Sequence, residues 1–406
     1  MLAYSLLAAL VIVVVGSLLG EFAGMQGLIH NAWFGNQGFE YLDLGRLWQI
    51  LLTVGLAFWV VILFRGLRGT LSADRVGNMP WLFFFSALSI PAFYGVGLLA
   101  NPAEHFTTTD FWRFWVVHLW VEDFLELFTT ILVAYIFVLL GVINERAALR
   151  VIYMDVILYS AGGIVGTMHH VYFSGEPAIH MALGAFFSAA EVIPLTFLTL
   201  EAWSFLQLGS IQGANSTNSF PHYWAVMFLA AVGFWNFLGA GVFGFLINLP
   251  IVSYYEIGTA LTANHAHASM MGVYGMLSIG LALFCLRYII PEKYWSNKAA
   301  QISFWSLNLG LAWMVFATLF PLGILQLYHS INASYYDARS LNFIGTRANS
   351  ILEWLRMPGD IVFILGGALP VLWITYRGIR FMRDRGSDVQ VKEILFTDIM
   401  AGNVEP

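Results

Sequence analysis

About ten times between residues 2 and 376 the chain runs apolar for roughly twenty residues or more, and no other feature restricts its fold as severely. At about 1.5 Å per residue such a run spans a bilayer core as a helix, the form in which a segment pairs its own backbone groups where water is absent. The runs lie at about 2–24, 47–66, 79–99, 110–142, 150–173, 177–207, 221–247, 254–288, 299–328 and 352–376. The expected fold is all-α, a polytopic membrane helix bundle of about ten spans in one membrane domain over residues 1–406. With 59% of residues hydrophobic and 10% charged, the composition lies far from that of a soluble domain.

Alternating the spans across the bilayer sorts the 18 Lys and Arg residues: all but Arg46, Arg113, Arg339, Arg347 and Arg356 fall on one side. Basic loops mark the cytoplasmic face, which places the C-terminus there, and an even number of spans places Met1 there too. The longer loops are 25–46 and 329–351 outside and the polar stretch Gly209 to Ser219 inside. The first span is too long, and its start too uncharged, for a cleaved signal peptide. The single cysteine, Cys285, excludes an internal disulfide, and no Cys-x-x-Cys-His is present to attach a haem covalently. A redox centre here is left with histidines and carboxylates.

Ionisable residues inside spans are costly in hydrocarbon, so each is a functional candidate. His118, Glu122 and Glu126 follow at steps of four and share a helical face. The pair His169-His170 ends its span after Gly162, Gly163 and Gly166, glycines that let another helix or a flat macrocycle come close. Glu191 lies in the next span. His265 and His267 are separated by about 200° of helical turn and leave opposite faces, so one helix can serve two centres. The bland alternative is that such histidines and glutamates only join helices by hydrogen bonds. Measured by residue count, His118, His169 and His265 lie roughly 12, 6 and 15 Å from the outer helix ends, all in the outer half of the membrane. His118, His169, His170 and Glu122 make a nitrogen-rich donor set with room for an open position, which suits non-haem iron better than zinc or calcium.

One histidine, then an adjacent pair, then His-x-His on successive helices resembles the haem-copper oxidase superfamily, whose subunit I fold the whole chain would share. Its oxygen-reducing members carry a tyrosine four residues after the first histidine. Glu122 stands there instead, as in the nitric oxide reductases, and Glu126 and Glu191 also match glutamates of that group. The stretches Trp33 to Gln49 and Trp354 to Asp360 resemble the quinol-dependent form. A cytochrome c-dependent large subunit and a terminal oxygen reductase are the alternatives.

The resemblance implies reduction of nitric oxide to nitrous oxide and water with electrons from quinol, in the cytoplasmic (inner) membrane of a bacterium. His265 would hold a high-spin b-type haem, His267 a low-spin one, and His118, Glu122, His169 and His170 the non-haem iron. Glu126 and Glu191 would handle protons, since a carboxylate shut away from water can accept and pass protons near neutral pH. Asp360 matches a quinol-site residue, although pairing with Arg356 at a helix start explains it equally well. Glu40 matches a calcium ligand. The implied partners are membrane lipid, quinol and nitric oxide, with room for a homodimer and no sign of nucleic acid. The family's second axial ligand for the low-spin haem lies upstream of Met1, and His30 and His105 read as loop residues outside any span. The chain is therefore expected to be truncated at its N-terminus and to hold that haem incompletely.

Overall fold

A computed structural model of the chain describes residues 2–38, 42–71, 77–101, 103–211 and 220–384. Glu40 and residues 212–219 of the polar loop lie outside the described residues. Within them the structure is helical and without strands. The long helices are α1 (Leu2–Met25), α2 (Arg46–Leu67), α3 (Met79–Leu99), α4 (106–139), α5 (Glu145–His170), α6 (Ala178–Leu208), α7 (Tyr223–Ile247), α8 (Ala260–Ile289), α9 (Asn297–Asn332) and α10 (Arg347–Phe381).

Among the described residues, nine of these helices are long and apolar enough to cross a membrane. The other is α4, continuous over the expected span but carrying Asp110, Arg113, Glu122, Asp123 and Glu126. That density of charge inside one membrane helix marks α4 as facing protein rather than lipid. Its centre, Val116–Phe124, is a π-helix, a widened turn that recurs at functional sites.

Helix starts follow local chemistry. The Asn78 side chain accepts the Trp81 amide ahead of α3, Ser296 accepts the Ala299 amide ahead of α9, and His105 caps α4 by accepting the Thr107 amide. One expected boundary is wrong. The span expected from residue 254 begins at Ala260, because Gly258 takes a left-handed conformation (φ +79°) and Thr259 caps a new helix. Tyr254 and Glu256 belong to a separate short helix, Pro250–Glu256. With α4 starting at 106, α5 ending at His170 and α8 starting at Ala260, the depths become about 18, 2 and 8 Å for His118, His169 and His265. Distance from a helix end is thus a poor measure of membrane depth when helices end at different heights.

The chain divides into two compact units. Among the described residues, the first comprises those within 1–135 and 152–187, and the second those within 136–151 and 188–384. In the first, α4 and α5 run antiparallel through glycine contacts. A side chain on Gly166 would meet the His118 ring, and one on Gly163 would meet the Asp123 carboxylate. The glycines before the histidine pair therefore admit a neighbouring helix. In the second unit α7 is the most enclosed helix, and Gly239 lies against the α8 backbone at Ala268 and Ser269.

Candidate metal centre and haem ligands

On α4 the wide turn sets Glu122 under His118, with Nδ1 of the ring 2.8 Å from Oε2 of the carboxylate. From the end of α5, His170 Nε2 lies 3.1 Å from the same oxygen and 3.3 Å from His118 Nδ1. His169 Nε2 is 2.7 Å from His170 Nε2 and 3.8 Å from Glu122 Oε2. Adjacent ligands on one ion with metal–nitrogen bonds of about 2.1 Å stand roughly 3 Å apart. One donor atom from each of the four residues falls within 4.8 Å of the others. Three ring nitrogens and a carboxylate oxygen aimed at one point fit a single metal ion, and the mixed donor set suits iron.

The surroundings fix the rings. His118 and His169 are buried. Phe114 stacks on His170 with ring centroids 5.0 Å apart, within an apolar cluster of Phe114, Val117, Val171 and Met168. Gly184 lets α6 approach the His169 backbone. Behind His118, Asp123 Oδ2 stands 3.7 Å from Nε2, both side chains fully enclosed. The carboxylate thus sets a negative charge behind the ring, at ion-pair distance.

The second unit holds a different arrangement. His265 Nδ1 donates to the Gly239 carbonyl at 2.8 Å, and His267 Nδ1 donates to the Ala263 carbonyl at 2.7 Å. An imidazole whose Nδ1 carries the proton presents a lone pair at Nε2, the state that an iron-ligating histidine needs. The Gly239 bond comes from α7 and the Ala263 bond from within α8, so the two rings are held on different sides of one helix. Each ring therefore fits axial ligation of its own haem.

The pattern described as cytochrome c and quinol oxidase polypeptide I matches residues 1–362. The chain belongs to that family. It is a multi-pass oxidoreductase of the haem-copper oxidase superfamily, in which polypeptide I carries haems and a metal. It is also similar to a protein of Stutzerimonas stutzeri named as a nitric oxide reductase chain, 27% identical over 368 residues that cover 88% of this chain and 73% of the relative.

Other residues expected at a haem-copper oxidase site fall out less uniformly. Glu126 is buried one turn beyond Glu122 on α4. Glu191 is buried at a break in α6, where one helical segment ends and another starts at Ile193. Asp360 lies 3.0 Å from Arg356 Nε, the structural alternative expected for it. In the stretch resembling the quinol-dependent form, Gln37 donates to the Leu44 carbonyl, Gln49 to the Leu42 carbonyl and Trp48 to the Phe34 carbonyl. These bonds tie the loop to the start of α2.

Three carboxylates escape a reading of the sequence. Asp123 sits inside the recognised motif but off the face shared by His118, Glu122 and Glu126. Asp110 holds Arg113 at 2.5 Å and accepts from Ser174 Oγ at 2.6 Å. Asp155 is fully buried on α5. The rule that charge inside a span is a functional signal would have found all three, since each lies within the expected spans.

Proposed function

We propose that the protein reduces two molecules of nitric oxide to one of nitrous oxide and one of water, with two protons and two electrons drawn from quinol in the bacterial inner membrane. The observation that carries this reading is the carboxylate of Glu122 meeting three imidazoles where oxygen reductases of the superfamily carry no such acid. The name of the Stutzerimonas stutzeri relative supports the same reaction. An added anionic oxygen donor favours iron over copper at this point.

When bound, iron held by His118, Glu122, His169 and His170, with a high-spin haem on His265 and a low-spin haem on His267, supplies redox-active positions for the substrate and a route for electrons. The chain's own residues prepare that site. Phe114, Val117, Val171 and Met168 form an apolar cluster that packs on the His170 side of the donor set. Asp123 places a negative charge beside Nε2 of the His118 ring, on the side away from the Nδ1 that faces Glu122. Glu126 and Glu191 hold and move protons, and Asp360 reads quinol from within α10, one turn after Arg356. Glu40 as a calcium ligand and a homodimeric assembly belong to the same reading, as does a cytoplasmic C-terminus.

The test is anaerobic turnover of the purified protein. Quinol is expected to support consumption of nitric oxide with one nitrous oxide formed per two consumed, faster than oxygen is reduced. Rapid oxygen uptake without nitrous oxide would replace this reading by a terminal oxygen reductase. Turnover with reduced cytochrome c but not quinol would keep the reaction and change the donor.

A further inference from the structure

The polar row on α4 does not stop at the metal cluster. Glu122, Glu126 and Thr130 succeed one another at four-residue steps, each about 6 Å further from the histidines along the helix. The antiparallel register of α5, with Gly166 at His118 and Gly163 at Asp123, brings Asp155 to the Thr130 level. Asp155 is fully enclosed, and its polar neighbours are the Thr130 hydroxyl and the Glu126 carboxylate. Among the described residues neither of its oxygens has a hydrogen bond of good geometry, the Thr130 hydroxyl being the polar group beside them. A carboxyl group that only joined helices at this depth would be expected to have its hydrogen bonds made, because leaving them unmade is costly. About 15 Å of α5 separates Asp155 from the helix start at Glu145, on the end remote from the histidines.

We infer that Asp155 hands protons to Glu126, so that the protons consumed at the metal site arrive from the side of the membrane opposite the histidines. The inference rests on the proposed nitric oxide reduction for its direction and purpose. The proton leaves the Asp155 carboxyl group and is taken by the Glu126 carboxylate. The Thr130 hydroxyl can carry it between them, accepting one proton while donating its own. Asp155, left as the anion, recovers a proton from the inner aqueous phase. Two such transfers supply the two protons that leave in the water formed with nitrous oxide. The electrons come separately from quinol, so the transfer itself changes no oxidation state.

The full chain with its cofactors, reconstituted in vesicles, tests this through turnover and proton uptake from each side. Asp155→Asn keeps the shape of the side chain and removes the transferable proton. Turnover and inner-side uptake are expected to fall together by about two orders of magnitude, with iron content, haem spectra and thermal midpoint unchanged. Asp155→Glu is expected to restore most of both. Wild-type turnover in Asp155→Asn would overturn the inference, and so would a loss that tracks lost iron or lost folding and that Asp155→Glu does not repair. If the wild-type protein reduces oxygen and not nitric oxide, the functional reading fails while the same proton measurement proceeds with oxygen as acceptor. A wild-type protein that reduces neither would remove both.

Discussion

The histidines of α4 and α5 and those of α8 are the same side chain used in opposite ways. In the cluster, ring nitrogens from two helices face one another and Glu122, so each donor is placed by the others. On α8, each imidazole is placed by a different backbone carbonyl on its Nδ1 side. The contrast teaches what to expect of damage. Loss of one donor should disable the cluster as a unit, whereas His265 and His267 should fail separately.

The largest expected effect breaks α8 in two ways. His267→Ala should abolish the low-spin haem signal and electron entry from quinol while leaving a high-spin haem that binds carbon monoxide. His265→Ala should do the reverse. Parallel loss of both signals in a folded protein, read by absorption spectroscopy, would contradict separate roles.

Next comes the cluster's packing. Gly166→Ala places a methyl group against the His118 ring, and displacement of a ligand by about 1 Å costs on the order of a hundredfold in rate. Nitric oxide turnover should fall by about that factor, and iron content should fall with it, while the α8 haem spectra stay as they were. A change confined to the haems would show that the two regions are not independent.

Smaller effects are expected at Asp360. Its pairing with Arg356 is partly exposed, and such pairs contribute about 0.3–0.5 kcal/mol. Asp360→Asn should therefore leave the thermal midpoint nearly unchanged and raise KM for quinol. An unchanged KM would reduce Asp360 to the ion pair alone.

A further effect, read only as a pH profile, concerns Glu256 in the short helix before α8. Burial pushes its carboxyl group up to about 7, against the opposing pull of the Thr262 hydrogen bond, His265 and Arg339. The folded state thus favours the protonated acid. Its contribution to stability is complete below the ordinary glutamate value of 4.5 and is lost as pH rises towards about 7. Glu256→Gln should flatten the thermal midpoint across that window, and an equally sloped profile in the variant would assign the slope elsewhere.

The donor cluster was legible because its residues stand at fixed spacings: a histidine and a glutamate one turn apart, and an adjacent pair after glycines. What those glycines admit was not legible, since only the register of α4 against α5 shows that Gly166 and Gly163 make room for His118 and Asp123. Asp155 was missed because its partners come from a different helix, and Asp123 because its histidine lies five residues back on the same helix, off the four-residue face. The boundary at Gly258 had a local signal, a glycine followed by a capping threonine, but continuous apolar character on both sides concealed it. Hydropathy also understates α4, because the side chains that bring it into the donor cluster are those that make it polar.

Iron bound per chain in wild-type protein and in Glu122→Gln, measured beside anaerobic nitric oxide turnover of the same samples, tests the central claim most directly. Four side chains holding one catalytic ion should give one non-haem iron in the wild-type protein. In Glu122→Gln, iron and nitrous oxide formation should both be lost, with the haem spectra retained. Full iron occupancy with activity intact in Glu122→Gln would contradict it.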